Sequence, residues 1–298
     1  MSLRKWKSVK EKENWFEYQK IDDIDILLKF IVETRQPMFY RGLCDASYKQ
    51  YSSIQRYCDE KGYNGCFHNY EQRLIKAAEP IFKKYTSSES CNELSILSFL
   101  QHYGCWTPIL DFTTDLSTAL FFALDGVAPY KKNDDLSDYI SVYAVTQKQQ
   151  QDLTNMQTII DECNAPPGFD KKALATYKMA VGWDTPIELC DQFVCDSYNY
   201  LKLINKNILA QKGLFVLNSS DSKTLEEWFD GRTFEQCDYC TDKLFYGKMF
   251  CWDINKKFIN LLKLYLFFKR KTHKSIYPDE KRNEIQNELR DLANKILF

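Results

Sequence analysis

Apolar positions at Ile24, Leu27, Leu28 and Ile31 recur at helical spacing and predict a helix that Pro37 ends. Met38-Phe39-Tyr40 then forms a short apolar run stopping at Arg41-Gly42, the pattern of a strand that delivers an arginine to its own end. Residues 43–67 are polar, with Gly62 and Gly65, and predict a long excursion rather than regular structure. Helical spacing returns over 68–85 and over 92–103, where Asn92 can cap, Ile96, Phe99, Leu100 and Tyr103 share a face, and Gly104 stops the helix. Pro108-Ile109-Leu110 is extended, and Thr113 or Thr114 can cap a helix whose stripe is Leu116, Ala119, Leu120 and Ala123, closed by Gly126.

Further strands are predicted over 139–145, 214–217 and 248–254, and helices over 255–270 and 278–295, the last announced by Tyr277-Pro278-Asp279. Residues 147–200, broken by Pro166-Pro167-Gly168 and Pro186, read as helical or irregular. The sum is an α+β fold: a mixed, mostly antiparallel sheet flanked by helices, with a C-terminal helical pair. The expected organisation is a helical lead-in over 1–36, one main domain over 37–254, and C-terminal helices over 255–298 packed on that domain.

Composition sharpens this picture at three points. With 298 residues, 44% hydrophobic, and 20 Phe, 19 Tyr and 6 Trp, the chain has ample material for a large core and no signature of disorder. The net charge of −1 conceals eleven Lys/Arg against five Asp/Glu in 255–298, and six against three in 1–20, so the middle is acidic. An acidic middle excludes a broad nucleic-acid surface there, while the basic C-terminal helices leave a protein or nucleic-acid partner open. Eleven cysteines at irregular spacings, behind an opening segment without a secretory pattern, read as reduced thiols of a cytoplasmic protein. The apolar stretch 258–268, interrupted by Lys263, is too short to span a bilayer, so no membrane association is expected.

Four segments set polar groups against small or aromatic neighbours: Phe39-Tyr40-Arg41-Gly42, Gln101-His102-Tyr103-Gly104, Thr107 to Thr113, and Ala210 to Phe215. Each candidate has a structural alternative. Arg41 could form an ion pair at a strand end, His102 could satisfy buried backbone groups, Asp111 could sit at a helix start, and Gln211 could tie down a turn. Cys237-x-x-Cys240 has the spacing of half a zinc site, with Cys251 as a third ligand and no fourth, so no metal site is expected. Cys105 could be proposed as a nucleophile, but its apolar setting beside Trp106 argues against an activated thiol.

Taken in order, these segments resemble the FRG domain family, with its aromatic-Arg-Gly strand end, Gln-His-Tyr-Gly turn, Leu-Asp-aromatic-Thr segment and late Gln-x-Gly-x-Phe. The resemblance runs from about residue 37 to 280. One departure is visible: where the family usually has an arginine in Pro-Thr-Arg-Leu-Leu-Asp, this chain has Pro108 within Trp106-Thr107-Pro108-Ile109-Leu110-Asp111. The segment order is in turn similar to the ADP-ribosyltransferase fold. That likeness implies a nucleotide-binding cleft with Arg41, His102, Asp111 and Gln211 as catalytic residues and Tyr40, Gly42, Gln101, Thr113 and Gly213 as substrate-binding residues. It also implies NAD as a substrate, with no cofactor. Gln211 stands where transferases carry a glutamate, and this departure favours the other implied reading, a non-catalytic ligand- or partner-binding module in bacterial stress or phage defence.

Overall fold

The computed structural model describes residues 3–33, 38–62, 67–86, 93–146, 188–190, 206–218, 221–228 and 248–297. Seven strands form one sheet: β1 (Phe16–Ile21), β2 (Met38–Leu43), β3 (Ile109–Thr113), β4 (Tyr139–Thr146), β5 (Glu188–Cys190), β6 (Gly213–Leu217) and β7 (Met249–Asn255), in the order β1-β7-β4-β2-β3-β6-β5. Only β1 and β7 pair in parallel; every other pairing is antiparallel, so the sheet is mixed and mostly antiparallel as expected. The lead-in is therefore not purely helical. After α1 (Val9–Trp15), capped by Ser8, it supplies edge strand β1, and α2 (Ile24–Val32) then starts at Asp23, whose carboxylate accepts from the amides of Asp25 and Ile26.

The period-two alternation of β2 and β4 divides the core. Met38, Tyr40, Ile140, Val142 and Ala144 join Trp252 and Ile254 beneath α2, α6 (Leu116–Leu124) and α8 (Ile259–Phe268). Phe39, Tyr143 and Val145 join Leu110, Phe112, Leu214 and Val216 on the other face, closed by Trp6 and Phe16. A third cluster is helical. It gathers α3 (Ser53–Glu60), α4 (His68–Thr86), α5 (Glu93–His102) and α10 (Arg282–Leu297) around Ile109 and Phe215. Between α6 and α10 the chain adds α7 (Lys206–Gln211) and the short α9 (His273–Ile276), so the C-terminal pair is α8 and α10 joined through α9.

Three further predictions need correction. The polar 43–67 stretch contains α3, nucleated by a capping box in which the Ser52 hydroxyl accepts from Gln55 N–H and the Gln55 side chain accepts from Ser52 N–H. The cap of α6 is Asp115, not Thr113 or Thr114, because Thr113 is still in β3 and its hydroxyl instead accepts from Asp115 N–H. Strand β2 continues to Leu43, so Arg41 lies within it rather than at its end. Pro37, Asn92, Cys237, Cys240 and all of 147–187 lie outside the described residues.

Two glycines are dictated by packing. A Cβ on Gly42 would stand 2.0 Å from the Ala119 carbonyl oxygen and 2.8 Å from the Ala123 nitrogen, because the backbone of α6 lies directly on β2. Gly104 has φ of +77°, and a Cβ there would meet the Gln286 side chain of α10 at 2.7 Å.

Candidate functional site

A cavity of about 500 Å³ opens where the helical cluster meets β3. Helix α3 supplies Arg56, Tyr57 and Glu60, the end of α5 supplies Gln101 and His102, and the turn after it supplies Gly104 and Trp106. Asp111 comes from β3, Phe122 from α6 and Gln211 from the end of α7, while Tyr277 and Arg282 come from the segment that joins α9 to α10. Its aromatic walls are built in advance: Tyr57 and Trp106 pack with centroids 3.8 Å apart and rings tilted by 34°, and the Arg282 guanidinium lies 3.8 Å from the Tyr277 ring centroid.

Asp111 is held by a chain of hydrogen bonds that starts at the backbone. Ser53 Oγ accepts from Thr107 N–H at 2.9 Å, the Thr107 hydroxyl donates to Gln101 Oε1 at 2.5 Å, and Gln101 Nε2 donates to Asp111 Oδ2 at 2.6 Å. The chain fixes which way the Gln101 amide faces and presents the carboxylate to the cavity. Burial raises the Asp111 pKa, against the pull of Arg41, the Gln101 hydrogen bond and Arg56.

His102 is 8% exposed, and its Nε2 is buried without a hydrogen-bond partner. Burial, reinforced by the charge of Arg282 and opposed by Asp279, lowers its pKa to about 3, so the imidazole is neutral at physiological pH. Gln211 is also buried; its Nε2 donates to the Ile276 carbonyl at 3.2 Å and anchors α9. Tyr103 and Asn207 complete that anchorage. The Tyr103 hydroxyl donates to Asp279 Oδ2 at 2.5 Å, and Asp279 N–H donates to Asn207 Oδ1 at 2.9 Å.

The sequence-predicted site separates into two groups. His102, Asp111, Gln211 and Gln101 converge on the cavity. Arg41, Tyr40, Gly42, Thr113 and Gly213 do not line it. Tyr40 is buried under α6, and Gly42 is where that helix makes its close approach, which accounts for the glycine without a ligand. Thr113 Oγ1 donates to the Gln211 carbonyl at 2.7 Å, and Gly213 is its cross-strand partner in β6.

Arg41 is set aside by strand alternation, since it shares a face with Phe39 while the Asp111 side chain projects with Ile109 and Phe215. Strands β2 and β3 pair at Tyr40–Thr113, and beyond that pair Arg41 Nη1 donates to the Asp111 carbonyl at 2.7 Å. Arg41 thus positions Asp111 through its backbone. Burial lowers its pKa to about 10 even though Asp111 lies beside it, and its Nε has no partner.

Sequence reasoning missed the two arginines that do line the cavity, Arg56 and Arg282, and the rings of Tyr57, Trp106, Phe122 and Tyr277. The available signals were the Ser-x-x-Gln box at Ser52 to Gln55, which marks the helix bearing Arg56 and Tyr57, and the helix-start pattern at 277–279.

The fold and cavity define an α+β domain with a preformed, aromatic-walled polar pocket of ligand size. Residues 36–132 match the family model of the FRG domain, so the chain carries an FRG domain over that stretch. The match includes Arg41, Gln101, His102, Asp111 and Thr113; Gln211, Gly213 and the Tyr277–Arg282 wall lie beyond it. Comparison with curated proteins returned no match, and comparison with solved structures returned none. Among the described residues no helix is long and apolar enough to cross a membrane, and no group of three or more His, Cys, Asp or Glu side chains is arranged to hold a metal ion.

Proposed function

We propose that the FRG domain binds a nucleotide-class ligand in the cavity between α3, α5, β3 and the Tyr277–Arg282 wall, and that NAD is a substrate there. The observation that carries this reading is the convergence of flat aromatic faces, two arginines, a neutral His102 and the Asp111 carboxylate on one space of about 500 Å³. A base is bound by stacking, a phosphate by guanidinium, and ribose hydroxyls by uncharged nitrogen and carboxylate oxygen.

In the transferase form of the reading, nicotinamide leaves ribose C1′ with the bonding electron pair and an acceptor nucleophile takes its place. The transition state is oxocarbenium-like, and Asp111, aimed by Gln101, is a buried carboxylate placed to stabilise it. A second reading has its own support. Gln211 is an amide engaged to the Ile276 carbonyl where transferases carry a glutamate, which favours a module that binds its ligand without turnover.

Thermal-shift and nicotinamide-release assays with NAD, ADP-ribose and ATP test both readings. Saturating NAD should raise the melting temperature by about 5 °C or more by mass action. Under the transferase reading nicotinamide is released, and Asp111→Asn lowers that rate by about 100-fold or more while retaining binding. A shift without release supports the binding module. No shift with any nucleotide, in protein that melts cooperatively, overturns the nucleotide assignment.

A further inference from the structure

Two nitrogens at the cavity are buried and have no partner: His102 Nε2 and Arg282 Nε. Both side chains line the cavity, and they are near enough that the Arg282 charge acts directly on the imidazole. Such groups are normally satisfied within the fold, because an orphaned buried donor costs about 1–3 kcal/mol. Here the fold leaves them unmet while spending considerable structure on holding them in place. His102 ends α5 against Gly104, whose positive φ and lack of a side chain let α10 approach. Arg282 opens α10 with its guanidinium over the Tyr277 ring, and this segment is secured by Gln211, Asn207 and Tyr103.

Neighbouring carboxylates do not neutralise the arginine. Asp279 accepts instead from the Tyr103 hydroxyl and from Lys281 N–H, and Arg282 forms no ion pair among the described residues. Its position at the first residue of a 16-residue helix adds the positive end of the helix dipole. A guanidinium Nε–H and a ring nitrogen, both without an internal partner and set beside the positive end of a helix, match the oxygens of an anion.

We infer that Arg282 and His102 form the seat of an anionic group, a phosphate or pyrophosphate of the bound ligand. Arg41, behind the sheet, does not hold it. The seat joins the Gln-His-Tyr-Gly turn of the FRG domain to a wall contributed by the C-terminal segment, beyond residues 36–132. Ligand choice is therefore set jointly by the matched domain and by a segment outside it. This inference rests on the cavity assignment above but assigns a specific part of it, and it can be tested without a nucleotide.

The test is calorimetric titration of the full chain with inorganic pyrophosphate, ADP and adenosine, comparing wild type, Arg282→Gln, Arg282→Lys and Lys281→Gln. The expected result is a loss of about tenfold or more in pyrophosphate and ADP affinity in Arg282→Gln, partial recovery in Arg282→Lys, and adenosine affinity within about twofold throughout. Lys281→Gln removes the same charge from the adjacent residue and should leave pyrophosphate affinity unchanged. Should Arg282→Gln fail to fold, His102→Gln carries the same expectation of weakened pyrophosphate binding. Equal effects of Arg282→Gln and Lys281→Gln, or no pyrophosphate binding by wild type, overturn the inference. Nucleotide binding that ignores Arg282 sinks the seat and spares the nucleotide reading. Pyrophosphate binding that requires Arg282, in a protein that binds no nucleotide, does the reverse.

Discussion

Two buried polar clusters lie on opposite faces of the same sheet and are satisfied to very different degrees. On the Phe39–Tyr143 face, the Lys12 ammonium is fully buried and donates to three acceptors: the Ala46 carbonyl at 3.1 Å, Ser141 Oγ at 3.0 Å and Asp253 Oδ1 at 2.6 Å. Burial disfavours that charge, but the neighbouring Cys251, Tyr143 and Asp253, the last with a direct hydrogen bond, hold Lys12 above its ordinary range. On the cavity face, His102 Nε2 and Arg282 Nε have no partners. An ammonium with all three donors engaged has no capacity left for a ligand. The Lys12 cluster fastens α1 to β4 and β7, while the cavity groups retain unmet capacity that a bound molecule can take up.

The largest test of this contrast falls on the satisfied cluster. Lys12→Met leaves Asp253 buried and unpaired and should cost about 3–5 kcal/mol in chemical denaturation, with most of the loss recovered in Lys12→Met/Asp253→Leu. A loss under about 1 kcal/mol would mean that water reaches the cluster and that the two faces differ less than their geometry indicates.

A smaller effect should appear in acid. Folding lowers the His102 pKa from its ordinary 6.5 to about 3, so the unfolded chain takes up a proton that the folded chain refuses. The stability contributed by this group is complete above pH 6.5 and is lost as pH falls toward 3, amounting to about 2–3 kcal/mol by pH 4.5. Buried Glu226, raised from 4.5 to about 7 mainly by burial, has the opposite sign and loses stability as pH rises across that window. The measurement is therefore the difference between wild type and His102→Gln in urea midpoints from pH 7 to 4.5. A difference independent of pH would show that His102 is not held neutral.

The smallest expected effect separates Arg41 from the cavity. Arg41→Ala removes the donor to the Asp111 carbonyl and should cost about 1–3 kcal/mol, with ligand affinity falling only modestly in the population that remains folded. Complete loss of nucleotide binding with unchanged stability would return Arg41 to the site.

Much of the architecture could be read from local patterns. The apolar runs at 38–40, 214–217 and 248–254 became β2, β6 and β7, and the helical spacing near 92–103 became α5 with His102 at its end. The polar α3 was missed because its signal is a reciprocal cap rather than an apolar stripe. At the site, His102, Asp111 and Gln101 were legible because they lie within a few residues of one turn, so local sequence keeps them together. Arg41 was grouped with the site because its neighbours form a motif; the alternation of Tyr40 and Gly42 under α6 puts Arg41 on the opposite face from the cavity described.

The sequence alone determined the five inner strands but not the edge strands β1 and β5, and it determined most helices, the FRG-type segments and their order, because hydrophobic periodicity and turn chemistry act within a few residues. Only the tertiary structure decided that Arg56 and Arg282, more than 200 positions apart, face one cavity, and that Arg41 does not. Those outcomes depend on which helix packs on which strand and on which buried donors are left without acceptors. Both are set by contacts between distant segments, and no local pattern encodes them.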